Sequence, residues 1–193
     1  MCTSNANSIK SVFIDHIIST MGDDVVIGNE IMYGTSGKVA DLVLLHNGNT
    51  YAIEVKSDSD SLARIDGQLQ EYQKQFNYVV VVCGQKFVKK LSQVLPEGIG
   101  LCTILEDDTV KDIRKPKKQT KLDKQEMLFS IKTSYLMKLA DFPTAGKNAD
   151  EIRMPFEKKR ISFVQKILYD YWLSKMKPIF DLYLSDYKDL KSS

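Results

Sequence analysis

Cysteine, histidine and tryptophan are scarce in this 193-residue chain, at three, two and one respectively. Cys2, Cys83 and Cys102 show neither metal-ligand nor redox spacing, which argues against a zinc site or a disulfide framework. Cys83 and Cys102 sit in apolar runs and read as small buried hydrophobes, which suits a reducing, cytoplasmic setting. His16 falls in a predicted helix and His46 beside a turn, with no nucleophile or metal partner near either in sequence. No apolar run approaches the length of a membrane span, so no membrane partner is expected. The first residues, Met1 to Asn7, lack the basic and apolar regions of a signal peptide. No repeat of fixed period occurs. The formal net charge is only +2, so any preference for a charged partner must come from local patches.

What the chain does contain is an alternation of helical and β-type segments. Ser8 to Met21 has apolar residues at helical spacing, and Val25 to Tyr33 reads as a strand carrying Glu30. Two strands follow, roughly Lys38 to Leu45 and Thr50 to Ser57. A helix then runs to about Phe76, with Leu62, Ile65, Leu69, Tyr72 and Phe76 on one face. Asp58 and Asp60, just ahead of it, are expected as helix N-caps. The β-branched run from Tyr78 to Cys83 suits a strand buried on both faces. A helix over Gln85 to Leu95, a strand over Ile99 to Leu105 and a short strand over Thr109 to Ile113 complete an α/β pattern with a mixed sheet.

The composition changes near Arg114. Residues 1–113 are expected to form the core, and residues 114–193 a basic linker followed by an α-helical C-terminal appendage. Helices are expected over Asp123 to Ala140 and from Glu157 to about Met176. Pro143, Gly146 and Pro155 mark the loop between them, and Pro178 is expected to interrupt the last helix. The basic stretch Lys111 to Lys124 reads either as a solvated linker or as a track for a phosphate backbone. The C-terminal aromatics, Trp172 and Phe180 among them, are expected in a core or an oligomer contact.

The densest chemical signal lies between Lys38 and Lys56. Asn47-Gly48 favours a two-residue type I′ hairpin turn. If His46 pairs with Asn49, the same register puts Asp41 directly opposite Glu54, with Lys56 on the same face one diagonal step away. Opposed Cβ atoms in a sheet lie about 5 Å apart. Two carboxylates so close repel unless something positive sits between them, and a divalent cation beside the lysine is the natural candidate. The plainer alternative is a solvated strand face with Lys56 as a salt-bridge partner. Asp41 sits in an otherwise apolar run, Val39 to Leu45, where such a face is unexpected.

Ala40-Asp41, Glu54-Val55-Lys56-Ser57-Asp58 and Gln68 with Tyr72 four residues on, followed by the Val79 to Val82 strand, together resemble the PD-(D/E)xK nuclease superfamily. The likeness is closest to a small bacterial branch with Glu-x-Lys-Ser-Asp and Gln-x-x-x-Tyr motifs, and it extends over about residues 28–90. Ala40 stands where many members have proline. The resemblance implies a restriction-endonuclease-like core and a deoxyribonuclease using Mg²⁺ or Mn²⁺, with DNA as its partner. By position, Asp41, Glu54 and the backbone carbonyl of Val55 would bind the metal, with Glu30 as an outer acid. Lys56 would hold or help deprotonate the attacking water. Gln68 would orient Lys56 or a nucleotide, and Tyr72 would contact DNA or brace its helix. For Gln68, Tyr72 and Glu30 the alternatives are an exposed helix residue, a core tyrosine and a surface acid. A homodimer would allow two sites to cut both strands. The rival reading is a catalytically inactive module of the same fold that binds nucleic acid or protein in a bacterial or phage system.

Overall fold

The computed structural model describes residues 5–192; Cys2 and the start of the polar N-terminus lie outside them. Helix α1 (Ala6–Met21) begins where the side chain of Asn5 accepts the Ser8 amide, and it ends at Gly22, whose φ of 69° suits glycine. Ile9, Phe13 and Ile17 form its buried stripe. Strands β1 (Val25–Tyr33), β2 (Lys38–His46) and β3 (Asn49–Lys56) make an antiparallel meander. Helix α2 (Ile65–Gln75) crosses over to β4 (Tyr78–Gly84), which lies parallel to β3. Helix α3 (Gln85–Val94) leads to β5 (Gly100–Ile104), parallel to β4, and β6 (Val110–Arg114) closes the sheet antiparallel to β5. The six strands therefore stand in chain order, in a mixed sheet flanked by helices. Every position from Val79 to Cys83 is buried, as expected of a strand covered on both faces.

The C-terminal region differs from the expectation in three places. The helix expected over Asp123 to Ala140 is two, α4 (Lys124–Phe129) and α5 (Thr133–Leu139), broken where Ile131 turns into the core. Pro155 lies inside a helix, α6 (Ala149–Glu157), rather than in a loop. Pro178 does not interrupt α7 (Ile161–Ser192), which runs through it. An interior proline costs a helix one hydrogen bond and about 3 kcal/mol. At both sites apolar burial offsets the loss: Ile152 and Phe156 flank Pro155, and Met176 and Phe180 flank Pro178, all inside the core. Among the described residues, no helix is long and apolar enough to cross a membrane.

The C-terminal helices are not loosely attached. Trp172 of α7 stacks on Phe76 at 5.2 Å between ring centroids, and Phe76 in turn meets Tyr33 and Tyr72. One buried cluster runs from α1 through the sheet to α7. Nor does the basic segment 115–123 hang free. Its backbone amides at Lys117, Gln119 and Asp123 donate to the carbonyls of Gly98, Asn77 and Lys74. Pro116 seats against Gly100, where a Cβ would come within 2.9 Å of the proline ring.

Candidate metal centre

The turn joining β2 to β3 has φ of 48° at Asn47 and 71° at Gly48, the two positive values a type I′ turn requires. The hairpin register runs from His46↔Asn49 to Leu42↔Ile53, as the sequence predicts. The paired ladder stops there, so the expected direct pairing of Asp41 opposite Glu54 is not made. Beyond it the amide of Val55 donates to Asp41 Oδ2 at 2.9 Å, so a side chain replaces the neighbouring strand as acceptor. The two acids thus stand at the mouth of a fork between β2 and β3.

Glu54 is 1% exposed, an unusual position for a carboxylate. Both of its oxygens are engaged. Oε1 accepts from Lys56 Nζ at 2.7 Å and Oε2 from the Tyr72 hydroxyl at 2.7 Å. Lys56 also donates to Gln68 Oε1 at 3.2 Å. Four of the residues singled out in the sequence are therefore joined in one network, with Asp41 beside it. Burial pushes the Glu54 carboxyl above its ordinary range, and the Asp41 charge pushes it further; Lys56 and the Tyr72 hydrogen bond act the other way. Burial, then Glu54, raises the Tyr72 hydroxyl, which keeps it a donor.

The raised Glu54 carboxyl has a measurable consequence. A folded state that prefers the protonated acid gains from it fully below the ordinary carboxylate range, and loses that gain as pH rises through the elevated value. In chelator, the stability of the wild type minus that of Glu54→Gln is expected to fall as pH rises from acid, then level off. Urea unfolding across a pH series measures this, and a difference that grows with pH would contradict it.

Several expectations need correction. Tyr72 cannot contact DNA: it is 1% exposed, and its hydroxyl is spent on Glu54 because α2 lies directly over that acid. Asp58 and Asp60 do not cap α2, whose N-cap is Arg64 with no side-chain cap. Asp60 instead accepts the amide and hydroxyl of Ser57, tying down the segment just after Lys56 and delaying the helix to Ile65.

Glu30 lies across from Asp41 in the β1–β2 register, but the pair is not made. Asn29↔Leu42 and Ile31↔Ala40 pair on either side, while Glu30 itself stands at φ 55°. Its side chain is 65% exposed and its carboxylate lies 3.5 Å from Lys10. Lys10, on α1, also lies 3.8 Å from Asp41 Oδ1. The sequence carries no sign of this role, since a lysine beside an apolar stripe looks like any solvated helix residue.

Among the described residues, no group of three or more histidine, cysteine, aspartate or glutamate side chains could hold a metal ion. The expected three-acid set of Glu30, Asp41 and Glu54 is therefore not assembled, because the backbone kink at Glu30 carries it to the surface and to Lys10. The donors that remain are Asp41, Glu54 and the Val55 carbonyl. Mg²⁺ binds through one or two carboxylates plus waters and phosphate oxygens, so this set suits it in kind. The buried charge on Glu54 is the feature a bound cation would stabilise.

A family described as bacteriophage P4 protein cII matches residues 2–189. Protein cII of Enterobacteria phage P4 is 38% identical over 81 residues, which is 42% of this chain and 30% of that protein. The matched part of the chain thus spans less than a third of the length of that relative. A solved structure from Silicibacter pomeroyi, of a protein of unknown function, is 16% identical with a TM-score of 0.47, covering 83% of this chain and 97% of that one.

Proposed function

The chain belongs to the bacteriophage P4 protein cII family, and we propose that it is a divalent-metal-dependent nuclease that hydrolyses phosphodiester bonds in DNA. The observation that carries this reading is the network at the β2–β3 fork. A purely structural fold has no need to bury Glu54 against Lys56 and set Asp41 beside it, since burying charges costs more than apolar packing of the same volume. The ordered motifs that resemble the PD-(D/E)xK superfamily coincide with the residues of this network.

In this reading Asp41, Glu54 and the Val55 carbonyl hold Mg²⁺ or Mn²⁺. When bound, the ion supplies a Lewis acid for the phosphate. Lys56 positions the attacking water and offsets the charge developing on the phosphate. Gln68 holds the Lys56 ammonium in place, and Tyr72 fixes the rotamer of Glu54. Tyr33, Lys38, Arg64 and Gln68 line a cleft of about 570 Å³ beside the network. Its two cations offer a path for a phosphate backbone.

The test is incubation of the pure protein with single- and double-stranded DNA in Mg²⁺ or Mn²⁺. Cleavage that stops on chelation is expected. No cleavage of either substrate, or cleavage that persists in chelator, would overturn the reading. One observation favours the rival binding module: Lys56 and Tyr72 already satisfy both Glu54 oxygens. Calorimetric titration with Mn²⁺ separates the two, because a module that binds only nucleic acid or protein takes up no metal.

A further inference from the structure

Lys10 sits one residue after fully buried Ile9 and three before buried Phe13, so the core holds its backbone while its stem reaches the sheet. Its side chain is only 12% exposed. Three oxygens surround the ammonium: Asn29 Oδ1 at 3.2 Å, Glu30 Oε1 at 3.5 Å and Asp41 Oδ1 at 3.8 Å. Two of these come from the point where β1 departs from regular pairing. Glu30 is in the left-handed region, which is strained for a residue other than glycine, yet the register on either side is unshifted. The distortion is thus confined to the acid next to Lys10.

We infer that Lys10 is a built-in cation of the proposed metal centre, which shares its charge among Asn29, Glu30 and Asp41 Oδ1 while no divalent ion is bound and is left to Glu30 and Asn29 when one arrives. The inference rests on the nuclease reading for the identity of the incoming ion. Asp41 Oδ2 is engaged by the Val55 amide, so Oδ1 is the oxygen a metal would take, and it is the one that faces Lys10. An ammonium and a divalent cation on one carboxylate oxygen repel each other strongly at such separations. Asn29 and Glu30 both lie nearer to Nζ than Asp41 does, so Lys10 keeps two of its three partners when Asp41 is withdrawn. It then remains beside the centre as a fixed positive charge that a substrate phosphate can use. An ordinary edge salt bridge would not couple Glu30 to metal affinity through Lys10.

The experiment is calorimetric titration of the full chain with Mn²⁺ alone, for the wild type, Lys10→Met, Lys10→Gln, Lys10→Arg, Glu30→Gln and the Lys10→Met/Glu30→Gln double variant. Circular dichroism establishes that each is folded, and Lys10→Gln serves if Lys10→Met is not. Loss of the charge is expected to tighten Mn²⁺ binding about tenfold or more, while Lys10→Arg stays near the wild type. Glu30→Gln is expected to weaken binding more in the wild type than in the Lys10→Met background. Unchanged affinity in both neutral variants, an equal effect of Glu30→Gln in both backgrounds, or no Mn²⁺ uptake by any variant would overturn the inference. Mn²⁺ binding that responds to Lys10 in a protein that cuts no DNA would uphold it and remove the nuclease reading. Metal-dependent cleavage indifferent to Lys10 would do the reverse.

Discussion

Asp41→Ala and Lys56→Ala are each expected to lower the proposed Mg²⁺-dependent DNA cleavage by about a thousandfold. In the proposed reaction the two would act on different parts. Asp41 offers the more accessible carboxylate at the fork, and its loss also leaves the Val55 amide without its acceptor. Among the described residues Lys56 holds the only ammonium bonded to Glu54, and its loss removes the countercharge from a 1%-exposed carboxylate. Lys56→Ala therefore raises the Glu54 carboxyl further and removes the group that would position the attacking water. Initial rates on a labelled oligonucleotide, with folding verified by circular dichroism, measure both variants. Cleavage that stays within about tenfold of the wild type in both would remove the centre from the reaction.

Trp172→Ala is expected to destabilise the protein by about 3–5 kcal/mol. The indole is 2% exposed and stacks on Phe76, itself fully buried, with an interplanar angle of 15°. Removing it opens a cavity between α7 and the end of α2, where the rings of Phe76, Tyr33 and Tyr72 converge. Because α2 also carries Gln68 and Tyr72, cleavage is expected to fall in parallel as the helix loosens over Glu54. Denaturant unfolding gives the stability change. A loss below about 1 kcal/mol would show that α7 lies outside the cooperative core.

Much of this arrangement was legible in the sequence because the information is local. Asn47-Gly48 dictates a turn and the turn dictates the register as far as Leu42↔Ile53, while Asp41 and Glu54 lie one step past the paired ladder and are joined there through the Val55 amide. Gln68 stands out through the resemblance of Gln68 and Tyr72 to the Gln-x-x-x-Tyr motif. The misses arise where distant packing decides. Tyr72 lies on an apolar face whether or not its hydroxyl finds an acid, and only the docking of α2 over β3 settles which. The Glu30 kink and the reach of Lys10 depend on how α1 meets the edge of β1. Pro155 and Pro178 carry a strong local helix-breaking preference, which the burial of Phe156 and Phe180 overrides. Asp60 looked like a cap because acids before helices usually are, but Ser57 offered nearer donors.

The type I′ turn also bears on the order in which the molecule assembles. Hairpins with two-residue turns close in microseconds, well before contacts between distant parts of a chain form. Asp41 and Glu54 are thus brought together early, before α2 supplies Gln68 and Tyr72. Lys56, which donates to Glu54, and the Val55 amide, which donates to Asp41, are partners that the hairpin supplies by itself. The Lys56 charge thus offsets the repulsion between the two acids within the hairpin alone, before α2 is in place.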